Sequence, residues 1–190
     1  MEHRELMRQA IEHEGEGHRA ALRGDGAAAR EAYARAAKSY RTSWEAAPPE
    51  AYGRLVGLLK AAVLAGAGPG EAAYARAALG DEAADSPTAA YALAIAALVA
   101  GDDGEAARWA DAMRPGPEAF GRTAAAIEAL ARGDGAAYGE AVTAIVRDFE
   151  AREAHLTGVA FADTAAMLEA LAAARGLAVR PASAVLAPPA

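Results

Sequence analysis

Apolar residues along this chain recur at helical spacing rather than in alternation. Residues 50 to 65 carry Tyr52, Leu55, Val56, Leu59 and Val63, and residues 135 to 156 carry Tyr138, Val142, Ile145, Val146 and Phe149. Steps of three and four gather each set on one face of a helix, which has to be hidden against a neighbour. Period-two alternation and runs of β-branched residues are lacking, so no strand is predicted. The longest uncharged stretch, Ser86 to Ala100, is mostly alanine. It falls short of the roughly 20 apolar residues that span a bilayer and reads as a buried helix.

Glycine and proline punctuate these segments in two ways. One kind of turn is Gly-Asp or glycine-rich: Gly24-Asp25-Gly26, Gly66 to Gly70, Gly101-Asp102-Asp103-Gly104 and Gly133-Asp134-Gly135. The other carries proline, at Pro48-Pro49-Glu50, Ser86-Pro87 and Pro115-Gly116-Pro117. A glycine just past a helix end supplies a left-handed residue, and an adjacent Asp or Ser caps the next helix. Proline suits the first turn, where its missing N–H is no loss. The marks predict nine helices, over 2–23, 26–46, 50–65, 70–79, 87–100, 103–113, 117–132, 135–156 and 161–175, followed by a Pro-rich extended tail whose Val185 and Leu186 pack back.

Composition changes this picture only at its edges. Alanine makes up about a third of the chain, lysine occurs only at Lys38 and Lys60, and asparagine is missing, a bias that GC-rich codons also produce. Helix assignment therefore rests on periodicity rather than on alanine's propensity. A chain of 190 residues suffices for one self-sufficient core. Cysteine is absent, which excludes disulfides and thiolate chemistry. The first residues include Glu2, His3, Arg4, Glu5 and Arg8, unlike a signal peptide, so a cytoplasmic location is expected.

Net charge is −7 and unevenly spread: residues 61 to 120 hold three basic and nine acidic side chains. Nucleic-acid phosphates need a basic face, so nucleic acid is not expected as a partner, nor is a membrane. The acidic middle is a solvated surface or meets a basic partner.

Turn glycines at Gly24, Gly68, Gly101 and Gly133 lie 44, 33 and 32 residues apart by subtraction. The last two spacings approach the period of about 34 residues of tetratricopeptide repeats. Gly101-Asp102-Asp103-Gly104-Glu105-Ala106, then Ala110, Met113 and Pro115, follows the residue order of such a repeat; Gly24-Asp25 with Ala29, Tyr33 and Ala36 matches in part. Over about residues 20 to 155 the chain thus resembles that family, with one good repeat and three degenerate ones, and the Trp-Leu-Gly-Tyr pattern of the first repeat helix is nowhere intact. The resemblance implies an all-α fold: stacked antiparallel helical hairpins in a right-handed solenoid of about four pairs, a single domain over 1–176, with a tail over 177–190 packed on it. At the C-terminal end, Arg175-Gly176-Leu177-Ala178-Val179, then Ser183, Leu186 and Pro188, is similar to the closing segment of the all-helical immunity protein 49 family, although Ala187 interrupts its Leu-Pro. That second resemblance implies an inhibitor of a bacterial toxin.

Candidate chemistry is sparse. His13-Glu14-Gly15-Glu16-Gly17-His18 suggests a zinc helix, but that motif needs histidines four apart. A spacing of five turns the second imidazole by about 500°, roughly 140° off the first face. A metal-dependent helical enzyme using His3, His13, Glu14 and His18 stays open as one alternative. Glu150, Glu153 and His155 lack the second copy that a di-metal bundle requires. No glycine cluster follows a strand or precedes Gly-Lys-Ser/Thr, and no serine sits in a Gly-x-Ser-x-Gly elbow. The expectation is therefore a non-enzymatic module without cofactor or metal, holding a peptide or protein on its repeat surface. Tyr40, Trp44, Tyr52 and Trp109 are the candidate contact residues, since aromatic anchors dominate interfaces. The toxin inhibitor is the other alternative.

Overall fold

The computed structural model describes residues 3–80 and 85–188; Glu2, the expected first residue of the first helix, and Pro189 and Ala190 of the tail lie outside them. Among the described residues the chain is all helical, with no strand. The helices are α1 (His3–Leu22), α2 (Gly26–Glu45), α3 (Gly53–Ala65), α4 (Gly68–Leu79), α5 (Pro87–Ala100), α6 (Asp103–Met113), α7 (Glu118–Arg132), α8 (Gly135–Glu150) and α9 (Asp163–Ala173).

The three Gly-Asp turns are one device used three times. Gly24, Gly101 and Gly133 have φ between 67° and 75°, the left-handed region glycine enters freely. The following Asp then does two jobs. Its backbone N–H reaches back five residues, from Asp25 to Ala20 O, Asp102 to Ala97 O and Asp134 to Ala129 O, at 2.9 to 3.0 Å. Its carboxylate accepts the N–H three residues ahead and caps the next helix, at Ala28, Glu105 and Ala137. Helix end and helix start thus share two residues, and the two helices fold back on each other.

Each helix packs on the next in sequence, from α1 on α2 through to α7 on α8, and α3 also touches α5, which touches α7. The odd-numbered helices α3, α5 and α7 therefore form one side. Helix α9 lies against α3, α7 and α8, covering that side with the chain's own residues. The uncharged α5 is buried over Ala89 to Leu98, which is why its apolar residues surround it instead of forming a stripe.

Two elements differ from the sequence expectation by more than two residues at one end. Helix α8 stops at Glu150 rather than 156, and residues 151–162 run as an irregular segment into α9. Nothing local marks that stop, because Arg152, Glu153 and Ala154 are ordinary helix residues. The segment is held from outside: Thr157 Oγ1 meets His18 Nδ1 of α1 at 3.0 Å, and the Ala162 N–H donates to Val185 O of the tail at 2.7 Å. The start of α3 likewise moves from 50 to Gly53, with Glu50 at a φ of 67° in the turn before it.

Candidate functional site

Small residues let α1, α2 and α3 approach closely, and this closeness builds the site. The Tyr33 ring of α2 lies over Gly17 of α1, and the Tyr40 ring lies over Gly57 of α3; a Cβ on either glycine would sit 2.5 to 2.6 Å from the ring. Tyr40 thereby crosses the layer and donates its hydroxyl to Glu14 Oε2 of α1 at 2.7 Å. Four residues on from Glu14, one helical turn away on the same face, is His18.

Glu14 and His18 are buried, at 4% and 3% exposure. Asp163, the first residue of α9, brings a carboxylate to them. One ligand atom from each of Glu14, His18 and Asp163 lies within 4.8 Å of the others. Lys60 of α3 forms an ion pair with Asp163, and the two are partly buried, so one largely buried polar cluster joins three helices distant in sequence. His18 stacks on Phe161 with ring centroids 4.6 Å apart and bonds Thr157 through Nδ1, while its Nε2 is buried without a hydrogen-bond partner among the described residues.

Burial sets the protonation of Glu14 and His18, and charge pairing sets that of Asp163 and Lys60. Burial pushes the Glu14 carboxyl up to about 7, with help from the Asp163 charge and against the Lys60 charge and the Tyr40 hydrogen bond. It pulls His18 down to about 4, and the nearby Lys60 charge reinforces this while Asp163 opposes it. At Asp163 burial works against ionisation, but the Lys60 ammonium outweighs it and holds the carboxyl below its usual range. Burial likewise works against charging Lys60, and Asp163, with Tyr91 and Glu14, overcomes it and raises the ammonium's pKa. Near neutrality the site therefore holds a fixed ion pair, an uncharged imidazole and a carboxyl able to give or take a proton.

Above the cluster is a cavity of about 330 Å³. Tyr91, Phe120, Phe149 and Phe161 supply aromatic walls, and Arg122, Arg152 and His155 add polar groups. Arg122 and Arg152 both bond Asp148 of α8, so their guanidinium groups are held in place. The Tyr91 hydroxyl is a second buried polar atom on this cavity without a partner among the described residues.

No protein-family model, curated protein or solved structure matches this chain. The likeness to tetratricopeptide repeats and to immunity proteins therefore rests on the quoted residues alone.

The candidate contact residues divide. Tyr40 is buried at 2% exposure and is part of the polar cluster, and Trp109 is buried on α6 with its indole N–H on Glu105. Trp44 and Tyr52 are half-buried, pack on the core and face each other with centroids 6.1 Å apart. Of the N-terminal His/Glu set, the structure joins only Glu14 and His18. His13 pairs with Ser39 at 3.3 Å and His3 with Arg54 at 2.9 Å, both away from the cluster. Glu150 accepts the Ser183 hydroxyl at 2.6 Å, and His155 stacks on Phe149.

Within the His3, His13, Glu14 and His18 set, the spacing that one face of a helix can use is the four residues from Glu14 to His18, not the five from His13 to His18. Lys60 also leaves a trace, as one of two lysines in the chain and a charge inside the apolar run Leu55 to Val63. Asp163 leaves none, since an acidic residue in a first helical turn is commonplace.

Proposed function

We propose that this chain is a helical-hairpin binding module whose odd-helix side encloses a small organic ligand rather than a peptide. The observation that carries this is the cavity of about 330 Å³, in which aromatic walls meet a cluster of buried polar groups. Ligand pockets are concave, mostly apolar and furnished with a few convergent polar groups, and about 300 Å³ is the lower end of their range.

The succession of helix contacts along the chain supports a repeat-like scaffold of the kind the turn spacing suggested. In such a scaffold a peptide would lie along the side formed by α3, α5 and α7. Helix α9 already occupies that side, which favours a compact occupant over an extended one. The ligand that fits has an apolar or aromatic body, to lie against Phe120, Phe149 and Tyr91. It also carries a group that both donates and accepts hydrogen bonds, to meet the Glu14 carboxyl and the unpartnered Tyr91 hydroxyl.

Gly53 offers a clean test. It is exposed, lies at the start of α3 on the cavity lining, and a side chain added there meets nothing within 4 Å. Gly53→Trp should keep the helical circular-dichroism spectrum and the melting temperature within a few degrees while obstructing the cavity. Protein purified under non-denaturing conditions should carry a small molecule detectable by native mass spectrometry, or show saturable thermal shifts in a metabolite panel, and the variant should lose either signal. A wild-type protein that carries no small molecule and responds to none of the panel would rule the reading out.

A further inference from the structure

The floor of the cavity holds more than an organic ligand requires. We propose that Glu14, His18 and Asp163 bind one divalent first-row transition-metal ion of the zinc class, a site that stands whether or not the cavity above takes an organic ligand. Two independent observations meet here. One is the placement of three ligating atoms, two carboxylate oxygens and one imidazole nitrogen, within 4.8 Å of one another. The other is the Nε2 atom of His18, a polar atom on a residue with 3% exposure, left without any hydrogen-bond partner among the described residues.

The details fit what a metal asks of its ligands. Glu14 and His18 are four residues apart on α1, so a regular helix presents both to one point, as the His13 and His18 pair cannot. Thr157 Oγ1 at 3.0 Å from Nδ1 engages one ring nitrogen and leaves Nε2 as the one available to a metal, the division of labour usual for a ligating histidine and its outer partner. Zinc takes its ligands at about 2.0–2.2 Å, so the three groups need to close by no more than about an ångström. One nitrogen and two oxygens favour zinc, manganese or iron(II) over calcium and magnesium, which prefer oxygen alone. Three protein ligands leave a coordination position open, the hallmark of a reactive rather than a purely structural site.

Lys60 is the rival cation. Its ammonium pairs with Asp163, so an arriving metal must take that carboxylate from it. The displaced ammonium has an acceptor at hand in the unpartnered Tyr91 hydroxyl, which lines the same cavity. Lys60 thus makes the site a cation exchanger: ammonium on Asp163 without metal, metal on Asp163 with it.

The test uses the full chain, purified without an affinity tag, treated with EDTA and dialysed, then titrated with Zn²⁺ by calorimetry and with Co²⁺ by visible absorption. The expected result is one equivalent bound, visible d–d bands from bound Co²⁺, and a rise in melting temperature on adding Zn²⁺. His18→Gln should weaken binding by more than about tenfold and Thr157→Val by about tenfold, since loss of an outer partner alone costs roughly 10- to 100-fold. His13→Gln should leave affinity unchanged, because that ring lies on Ser39. Lys60→Met should bind more tightly than the wild type and gain more melting temperature from Zn²⁺. Absence of stoichiometric binding by the folded wild type would overturn the assignment, as would His13→Gln weakening binding as much as His18→Gln. Should Lys60→Met fail to fold, the His18→Gln and His13→Gln comparison decides alone.

Discussion

At the residue scale the cluster pairs two groups that burial shifts in opposite directions. Glu14 is raised from 4.5 to about 7 in the fold, so between those values the native state holds a proton the unfolded chain has lost. Its contribution is fully present below about pH 4.5 and disappears as pH rises through 7. His18 is lowered from 6.5 to about 4, so between those values the unfolded chain holds the extra proton, and stability rises with pH. In metal-free protein the two slopes oppose each other between about pH 4.5 and 6.5 and nearly cancel. Removing one group should expose the other. Urea unfolding at pH 4.5 and 6.5 should show Glu14→Gln gaining stability relative to wild type on going to the higher pH and His18→Gln losing it. Each change should be about 1–3 kcal/mol, since a tenfold difference in proton affinity between folded and unfolded chain is worth about 1.4 kcal/mol. Three parallel curves would mean that neither group is buried as described.

At the element scale, helix contacts in this protein depend on where a side chain is missing. Alanine ordinarily stabilises a helix interior over glycine by about 1 kcal/mol. Gly17 reverses that rule, because its place beneath Tyr33 leaves 2.5 Å for an added Cβ, and both Tyr33 and the α1 backbone are packed. Gly17→Ala should destabilise by about 1–3 kcal/mol, the usual cost of overpacking. Gly121→Ala in α7, where an added Cβ meets nothing within 4 Å, should instead stabilise by about 0.5–1 kcal/mol. Chemical denaturation of the two variants side by side distinguishes tertiary crowding from helix propensity. Read as sequence, Gly15 and Gly17 are only weak points in a helix. They become close-approach positions once α2 and the 151–162 segment lie against them, with Thr157 3.3 Å from a Cβ on Gly15.

For the whole molecule, α9 ties together helices that are distant in sequence. Repeat arrays in which each unit touches only its neighbours unfold piecemeal. Here α9 spans the open side, touching α3, α7 and α8, and its Asp163 is tied to α3 through Lys60. Leu168 of α9 is fully buried. Leu168→Ala should cost about 2–5 kcal/mol, typical of a buried leucine truncated to alanine. Amide hydrogen exchange should show protection falling together in α3, α7 and α9, not in α9 alone. Loss confined to α9 would show that the side of odd helices stands by itself.

The turns were legible because their chemistry is local. A left-handed glycine followed by a capping aspartate needs only adjacent residues, so Gly24-Asp25, Gly101-Asp102 and Gly133-Asp134 could be recognised in the sequence, and with them most helix limits. The uncharged run of α5 and the stripes of α3 and α8 were legible for the same reason, since burial of a helix face is written at intervals of three and four. The stop of α8 at Glu150 and the meeting of Glu14, His18, Lys60 and Asp163 were not. Residues 14, 60 and 163 are far apart in the chain, and a carboxylate or an ammonium carries no mark of whether water or another charge will surround it. Local backbone energetics determined the helices of this protein; the packing of α9 across α3 and α7 decided which of its charges would be buried together.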